Sequence, residues 1–264
     1  MFCKMKIAIC SFVIGDRYKE IVKYGIQTRK NYSLKHNYDY IDDDSVYDRS
    51  RDIEWSKILI VQKYLSQYDF LVWIDADTFI MNDNITLESL IEKYLEGDNS
   101  KDLMYTVGHG WVNNGVMFVR NTPFMADFFV EVYTHTDQIC REQGSLDYLY
   151  RTNWRNCRSK IVVVQNQKEF NSFWDNYSYS DFIIHFPGCN EPNRPENSLQ
   201  RMMNMFCPIR MVRDTDHTYR FRMDWLQNRA EADLYRMRGK GYLPLTQKDS
   251  ENLLVDIMTL QTPN

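Results

Sequence analysis

Phe70-Leu71-Val72-Trp73-Ile74-Asp75-Ala76-Asp77 is the stretch on which the reading of this sequence turns. Five apolar residues without a break are what a strand buried on both faces looks like. The run stops at two carboxylates separated by one small residue. Two carboxylates brought close together and desolvated repel each other unless a cation neutralises them. Hard oxygen ligands of this kind suit Mg²⁺ or Mn²⁺, ions that also bind phosphate oxygens. A bare D-x-D also fits a strand that merely ends in two solvated acids. The apolar strand ahead of it favours the metal reading.

Upstream, residues 6–15 form another apolar run, ending in Gly15, and read as a first buried strand. Residues 16–30 carry Ile21, Val22, Tyr24 and Ile26 near helical spacing. Residues 38–41 read as a second short strand and residues 53–68 as an amphipathic helix. Strand, helix, strand, helix, strand predicts a doubly wound α/β sheet. Ligands of such sheets bind beyond the carboxyl ends of the strands, where Asp75 and Asp77 stand. Downstream, helices are predicted at 87–95, 123–134 and 145–151, and strands at 103–107, 115–119, 161–165 and 182–186. Residues 213–238 are rich in charge and poor in apolar positions, which predicts an exposed helical extension.

Three further clusters carry chemistry. Phe182-Ile183-Ile184-His185-Phe186-Pro187-Gly188-Cys189-Asn190 is another apolar strand that ends in a ligand type, then glycine. Neutral imidazole is a good Mn²⁺ ligand, and His185 completes a site with Asp75 and Asp77 if the two strand ends meet. A histidine at a strand end also serves as an ordinary hydrogen-bonded structural residue. Trp111-Val112-Asn113-Asn114-Gly115-Val116 puts two amides and a glycine before a strand. Amides hydrogen-bond sugar hydroxyls without adding charge, and the same residues also fit a polar turn. Glu142-Gln143-Gly144 opens a helix, with a carboxylate and an amide at its first turn.

Composition narrows the classes. The chain has 264 residues, 44% of them hydrophobic, enough for one large α/β domain or one domain with a small appendage. Lys and Arg number 32 against 36 Asp and Glu, so the basic excess of a nucleic-acid binder is missing. None of the six cysteines has C-x-x-C spacing, which argues against structural zinc. No apolar run reaches the length of a membrane span, and no leader pattern opens the chain. The expected location is cytoplasmic if the chain is complete and Golgi-lumenal if it is a trimmed catalytic domain.

Taken together in order, these blocks resemble glycosyltransferase family 34. That family comprises retaining α-glycosyltransferases, including plant xyloglucan xylosyltransferases and yeast α-galactosyl- and mannosyltransferases. The matching blocks are Trp55-Ser56-Lys57-Ile58, Phe70 to Asp77, Asn113-Asn114-Gly115 with Val116 to Asn121, Glu142-Gln143-Gly144-Ser145, and His185-Phe186-Pro187-Gly188-Cys189. The resemblance implies a GT-A fold, a Rossmann-like mixed sheet flanked by helices, over residues 1–210, with 211–264 as a C-terminal helical extension. It implies that Asp75, Asp77 and His185 hold Mn²⁺ (or Mg²⁺). Ser11 and Lys57 would lie near the nucleotide, and Asn113, Asn114, Glu142 and Gln143 would line the donor-sugar pocket. Ala76, Gly115, Gly188 and Asn190 join the implied donor-binding set, and Gln143 or Glu142 is the implied stabiliser of the reacting carbon. The implied partners are a nucleotide-diphosphate sugar, with UDP favoured, and a glycan or glycoconjugate acceptor; a homodimer is allowed for. The sequence departs from the family pattern at Asn114, usually Thr, at Glu142, usually Asp, and at Asn190, usually Lys.

Three rival readings remain beside it. An inverting transferase on the same fold needs a carboxylate base, for which Glu142 or Asp147 could serve. A non-catalytic nucleotide-sugar or glycan binder would keep the site without turnover. A dehalogenase-like phosphatase also places D-x-D at a strand end, but wants Thr or Val where this chain has Phe79.

Overall fold

The computed structural model describes residues 5–96, 101–108, 111–135, 140–178 and 180–189, together with Leu199, Met202 and Met203. The predicted extension 211–264 and Asn190 lie outside the described residues. The chain opens with β1 (Ile7–Ser11), α1 (Asp16–His36) and β2 (Asp39–Asp42), then α2 (Ser56–Tyr64), β3 (Phe70–Ile74), β4 (Thr78–Ile80) and α3 (Leu87–Tyr94). It continues with β5 (Leu103–Gly108), β6 (Trp111–Arg120), α4 (Pro123–Thr134), α5 (Arg141–Thr152), β7 (Ile161–Val164), β8 (Ser172–Phe173) and β9 (Ile183–His185).

Six strands form one sheet in the order β2-β1-β3-β6-β5-β7. β1 runs parallel to both β2 and β3, and β5 parallel to β7. β6 is antiparallel to β3 and to β5. The sheet is therefore mixed, as the family resemblance implied: the β2-β1-β3 part, from which the α/β reading was made, is parallel, and β6 enters antiparallel. The reason is local: two residues separate β5 from β6, which suffices for a hairpin but not for a parallel crossover. β6 also begins earlier than predicted, so Trp111 to Asn114 belong to a strand and not to a turn. A register shift between Met104 and Thr106 accommodates them.

Side chains alternate between two cores. Ala8, Cys10, Leu71, Trp73, Met117 and Val119 pack under α2, α4 and α5, against Ile58, Val61, Phe128, Phe129, Leu146 and Leu149. Ile7, Ile9, Phe70, Val72, Ile74 and Phe118 face the other way, against Tyr32 of α1 and Leu87, Leu90 and Ile91 of α3. Both faces of β3 are thus buried, which is why its sequence runs apolar without alternation. Each such side chain contributes about 1.5–3 kcal/mol when fully buried.

A second sheet, β4-β9-β8, was not predicted. It packs Phe79, Ile184 and Phe186 with Val22 of α1 and with Leu199, Met202 and Met203. The antiparallel register pairs Thr78 with His185, and Phe186 N donates to the Asp77 carbonyl at 3.0 Å. This pairing brings the end of one predicted strand beside the end of another far along the chain.

α1 braces the turn between β3 and β4. Arg29 is fully buried, and its Nη1 donates to the carbonyls of Asp75 (3.3 Å), Ala76 (3.4 Å) and Thr78 (3.3 Å) and to Thr78 Oγ1 (3.0 Å). The helix comes this close because residue 25 is glycine. A Cβ there would lie 2.4 Å from the Thr78 carbonyl oxygen and 3.2 Å from that of Ala76. We expect Gly25→Ala to lose about 2 kcal/mol net in urea unfolding, because a backbone clash outweighs the roughly 1 kcal/mol gained in helix propensity. A stabilised variant would contradict the close packing.

Candidate metal centre

Asp75, Asp77 and His185 each point one ligand atom into the same space, and those atoms all lie within 4.8 Å of one another. His185 Nε2 is 3.5 Å from Asp77 Oδ1 and 3.9 Å from Asp75 Oδ2. Two ligands about 2.1 Å from one octahedral cation stand roughly 3.0 Å apart when adjacent and roughly 4.2 Å apart when opposite. The observed separations fall in that interval, and the donor set of two carboxylates and an imidazole is that of a hard or borderline divalent ion. The residues therefore fit such a cation.

The two oxygens of Asp75 are divided between tasks. Oδ1 accepts from Trp73 Nε1 at 2.6 Å and lies 3.1 Å from Lys57 Nζ, which leaves Oδ2 turned toward His185. Burial lifts the Asp75 carboxyl above its ordinary range, Lys57 pulls it back, and neighbouring Asp77 lifts it again. A site that strains to hold two carboxylates is one that a cation relieves. The same field reaches Tyr18, whose hydroxyl is pushed well above its ordinary value by burial and by Asp77 and Asp75.

Lys57 Nζ sits between Asp75 and Glu142 Oε1, 3.0 Å from the latter, and donates to Asn114 Oδ1 at 3.2 Å. Burial alone would lower this ammonium, but Asp75 and Glu142 hold it above its usual value. Lys57 is a fixed charge behind the first aspartate. Asn114 Nδ2 also donates to Glu142 Oε1 at 3.1 Å, and Asn114 N donates to Gln143 Oε1 at 3.3 Å. Glu142 is thus engaged on the closed side of the site, its side chain 4% exposed. Gln143, the next residue, is half-buried. The helix carrying both starts at Arg141, held in a left-handed conformation (φ 54°) and paired with Asp52 (2.9 Å) and Glu54 (3.0 Å).

Asn171 was not predicted, because a lone polar residue between strands carries no periodic signal. Its Nδ2 donates to Thr106 Oγ1 at 2.9 Å and to Asn113 Oδ1 at 2.8 Å. That fixes the amide so that Oδ1 accepts from His185 Nδ1 at 2.9 Å. Nδ1 therefore carries the proton, and the Nε2 lone pair faces the carboxylates. Asn113 Oδ1 also accepts from Gly115 N at 3.0 Å, so Asn113 is tied into this supporting network. We expect Asn171→Ala to weaken Mn²⁺ binding about 10- to 100-fold by calorimetry. Asn171→Asp, which keeps the accepting oxygen, should recover part of it; unchanged affinity in the alanine variant would contradict this role.

The remaining predicted residues scatter around the centre. Ser11 ends β1 fully buried, and its hydroxyl has no partner among the described residues. The Ala76 carbonyl is taken by Arg29. Gly188 follows β9 with φ 70°, a conformation glycine adopts without cost. A Cβ at Gly115 would lie 2.3 Å from His185 Cε1, so this glycine is what lets the imidazole reach the aspartates.

The sequence model of the galactosyl transferase GMA12/MNN10 family matches residues 7–196. An uncharacterized alpha-1,2-galactosyltransferase of Schizosaccharomyces pombe is 22% identical, the match covering 67% of this chain and 66% of that protein. The chain therefore spans about two thirds of the length of this curated relative. The crystal structure of a glycosyltransferase involved in glycosylation of the major capsid of PBCV-1 superposes with a TM-score of 0.62 at 16% identity, covering 76% of this chain and 99% of that one. The mixed sheet flanked by helices is the GT-A fold.

Proposed function

The chain belongs to the galactosyl transferase GMA12/MNN10 family, and from that premise we propose that it transfers a hexose or pentose from a nucleotide-diphosphate sugar, UDP-linked by preference, to a glycan hydroxyl with retention of anomeric configuration. One observation carries the reading: Asp75, Asp77 and His185 converge at the rim of the sheet, beside the Lys57–Glu142–Asn114 cluster.

Asp75 Oδ2, Asp77 Oδ1 and His185 Nε2 would hold Mn²⁺ or Mg²⁺. Bound there, such an ion supplies Lewis-acid stabilisation of the charge that develops on a departing diphosphate. The chain's own residues do the rest. Asn171 keeps the imidazole in the binding tautomer. Lys57 keeps Asp75 ionised and aimed. Ser11, Ala76 and Gly188 would contribute to the donor cradle, with Asn190 expected to join them from outside the described residues, and Gln143, with Asn113, Asn114 and Gly115, would face the sugar. Gln143 Oε1, anchored by Asn114 N–H, places a partial negative charge where positive charge builds on the anomeric carbon. In the reaction the acceptor oxygen bonds to that carbon on the face the diphosphate leaves. The acceptor proton passes to a diphosphate oxygen.

Glu142 supports retention over inversion. An inverting enzyme needs a free carboxylate base, whereas Glu142 Oε1 is shared by Lys57 and Asn114, and Asp147 Oδ2 is paired with Arg151 at 2.8 Å.

A panel of nucleotide sugars tests the proposal by thermal shift with and without Mn²⁺, followed by NMR of the product. At a hundred times its dissociation constant, roughly, a donor stabilises the fold by about 2.7 kcal/mol. We expect UDP-sugars to raise the melting temperature only with Mn²⁺ present, and the product to keep the donor's anomeric configuration. No shift with any donor would refute the reading. Binding without transfer would favour a non-catalytic binder.

A further inference from the structure

A groove lies on the same rim of the sheet, beyond the donor side, and none of its residues has a part in the metal centre. It has a volume of about 330 Å³ and is lined by Trp111, Val112, Asp147, Tyr150, Arg151 and Gln165, with Val107 and Val163 completing the wall. We infer that this groove is the acceptor subsite, and that its occupant is a pyranose of a glycan chain. The inference rests on the transferase reading and deepens it.

The order of strands carries the first argument. Along the rim stand Ser11 at the end of β1, Asp75 and Asp77 after β3, then Asn113 to Gly115 on β6, and last β5 and β7 beneath the groove. If the diphosphate lies at the D-x-D and the donor sugar at β6, the next site in line is the groove. An acceptor must approach from the side of the sugar away from the nucleotide.

A single helix carries the second. Gln143, Asp147 and Arg151 follow one another at four-residue spacing on α5, so they share one face of the helix. That stripe leads from the donor side into the groove with a rise of about 6 Å per step, close to the width of one sugar ring. Glu142 and Leu149, on the opposite face, and Leu146, at its flank, are buried. One rigid helix thus sets the spacing between the reacting carbon and whatever fills the groove.

The lining chemistry is the third. Trp111 is 55% exposed, a large flat apolar face left in water, of the kind that covers the C–H face of a sugar ring. Asp147 accepts hydrogen bonds from hydroxyls, and the Gln165 amide offers both a donor and an acceptor. Arg151 Nε pairs with Asp147 Oδ2 at 2.8 Å, which fixes the carboxylate and cancels its charge. Gln165 Nε2 is steadied by the Val163 carbonyl at 3.2 Å. This set serves a polyhydroxyl ligand.

The test uses NMR of the whole chain, with methyl α- and β-pyranosides of glucose, galactose, mannose and xylose as probes at millimolar concentration. The Trp111 indole N–H signal is assigned by its loss in Trp111→Ala, whose remaining spectrum reports the fold. At least one pyranoside should shift that signal without nucleotide present, and Asp147→Asn should raise its dissociation constant about tenfold. If no pyranoside moves the Trp111 signal while UDP-sugars with Mn²⁺ still raise the melting temperature, the groove assignment is overturned and the transferase reading stands. If a pyranoside binds here but no UDP-sugar stabilises the protein, the groove binds sugar but its role as acceptor subsite falls with the transferase reading.

Discussion

Asp77→Ala should lower transfer from a UDP-sugar about a thousandfold or more while the protein melts at or slightly above the wild-type temperature. The two halves of that result have separate causes. Asp77 Oδ1 stands 3.5 Å from His185 Nε2, so its loss removes one of three groups able to hold the cation. The backbone contact that locks β4 to β9 is the Asp77 carbonyl, which accepts from Phe186 N and survives in alanine. Removing one of two neighbouring carboxylates also relieves the repulsion that lifts Asp75, a gain of roughly 1 kcal/mol at most for a partly exposed pair. Activity lost with stability kept is the signature of a functional group. Initial rates and a thermal melt on the same sample decide it, and wild-type turnover in the variant would remove the mechanism.

Gly115→Ala should weaken Mn²⁺ binding about a hundredfold and cost about 1–3 kcal/mol of stability. The new Cβ would stand 2.3 Å from His185 Cε1 and 3.0 Å from both Asp75 Oδ2 and Asn113 Oδ1. A flexible neighbour could swing aside, but this imidazole is held by Asn171 at one end and packed edge-on against Phe173 with centroids 5.7 Å apart. The ring or the strand must move, and either displaces a ligand. Val119→Ala is the control, because Val119 is fully buried in the core under α4 and α5, away from the metal centre. It should lose comparable stability and leave Mn²⁺ affinity unchanged. Calorimetry on both separates a blocked site from a merely weakened fold. Equal affinities in the two variants would contradict the packing role of Gly115.

The three converging residues were legible in the sequence because each ends a continuous apolar strand: Asp75 and Asp77 after Phe70–Ile74, and His185 after two isoleucines. What joins them was not. β4 is three residues long, too short for periodicity to announce, and its pairing with β9 is a contact between distant parts of the chain that no local pattern encodes. The supporting groups were hidden for a related reason. Arg29, Gly25 and Asn171 act through single hydrogen bonds or a missing Cβ, and neither leaves a repeat in the sequence. The pairing of Lys57 with Glu142 was hidden too, since only the fold shows Glu142 arriving beside it. The antiparallel placement of β6 was lost because Trp111 to Asn114 look like a polar turn until β5 is laid beside them.

The account stands on a single cation shared between the end of β3 and the end of β9. Anomalous diffraction at the manganese edge, from crystals grown with Mn²⁺ and UDP, tests it most directly. The expected result is one strong peak about 2.0–2.3 Å from Asp75, Asp77 and His185 Nε2 together. A peak held by the aspartates with the imidazole turned away, or no peak between the two strand ends, would contradict the account.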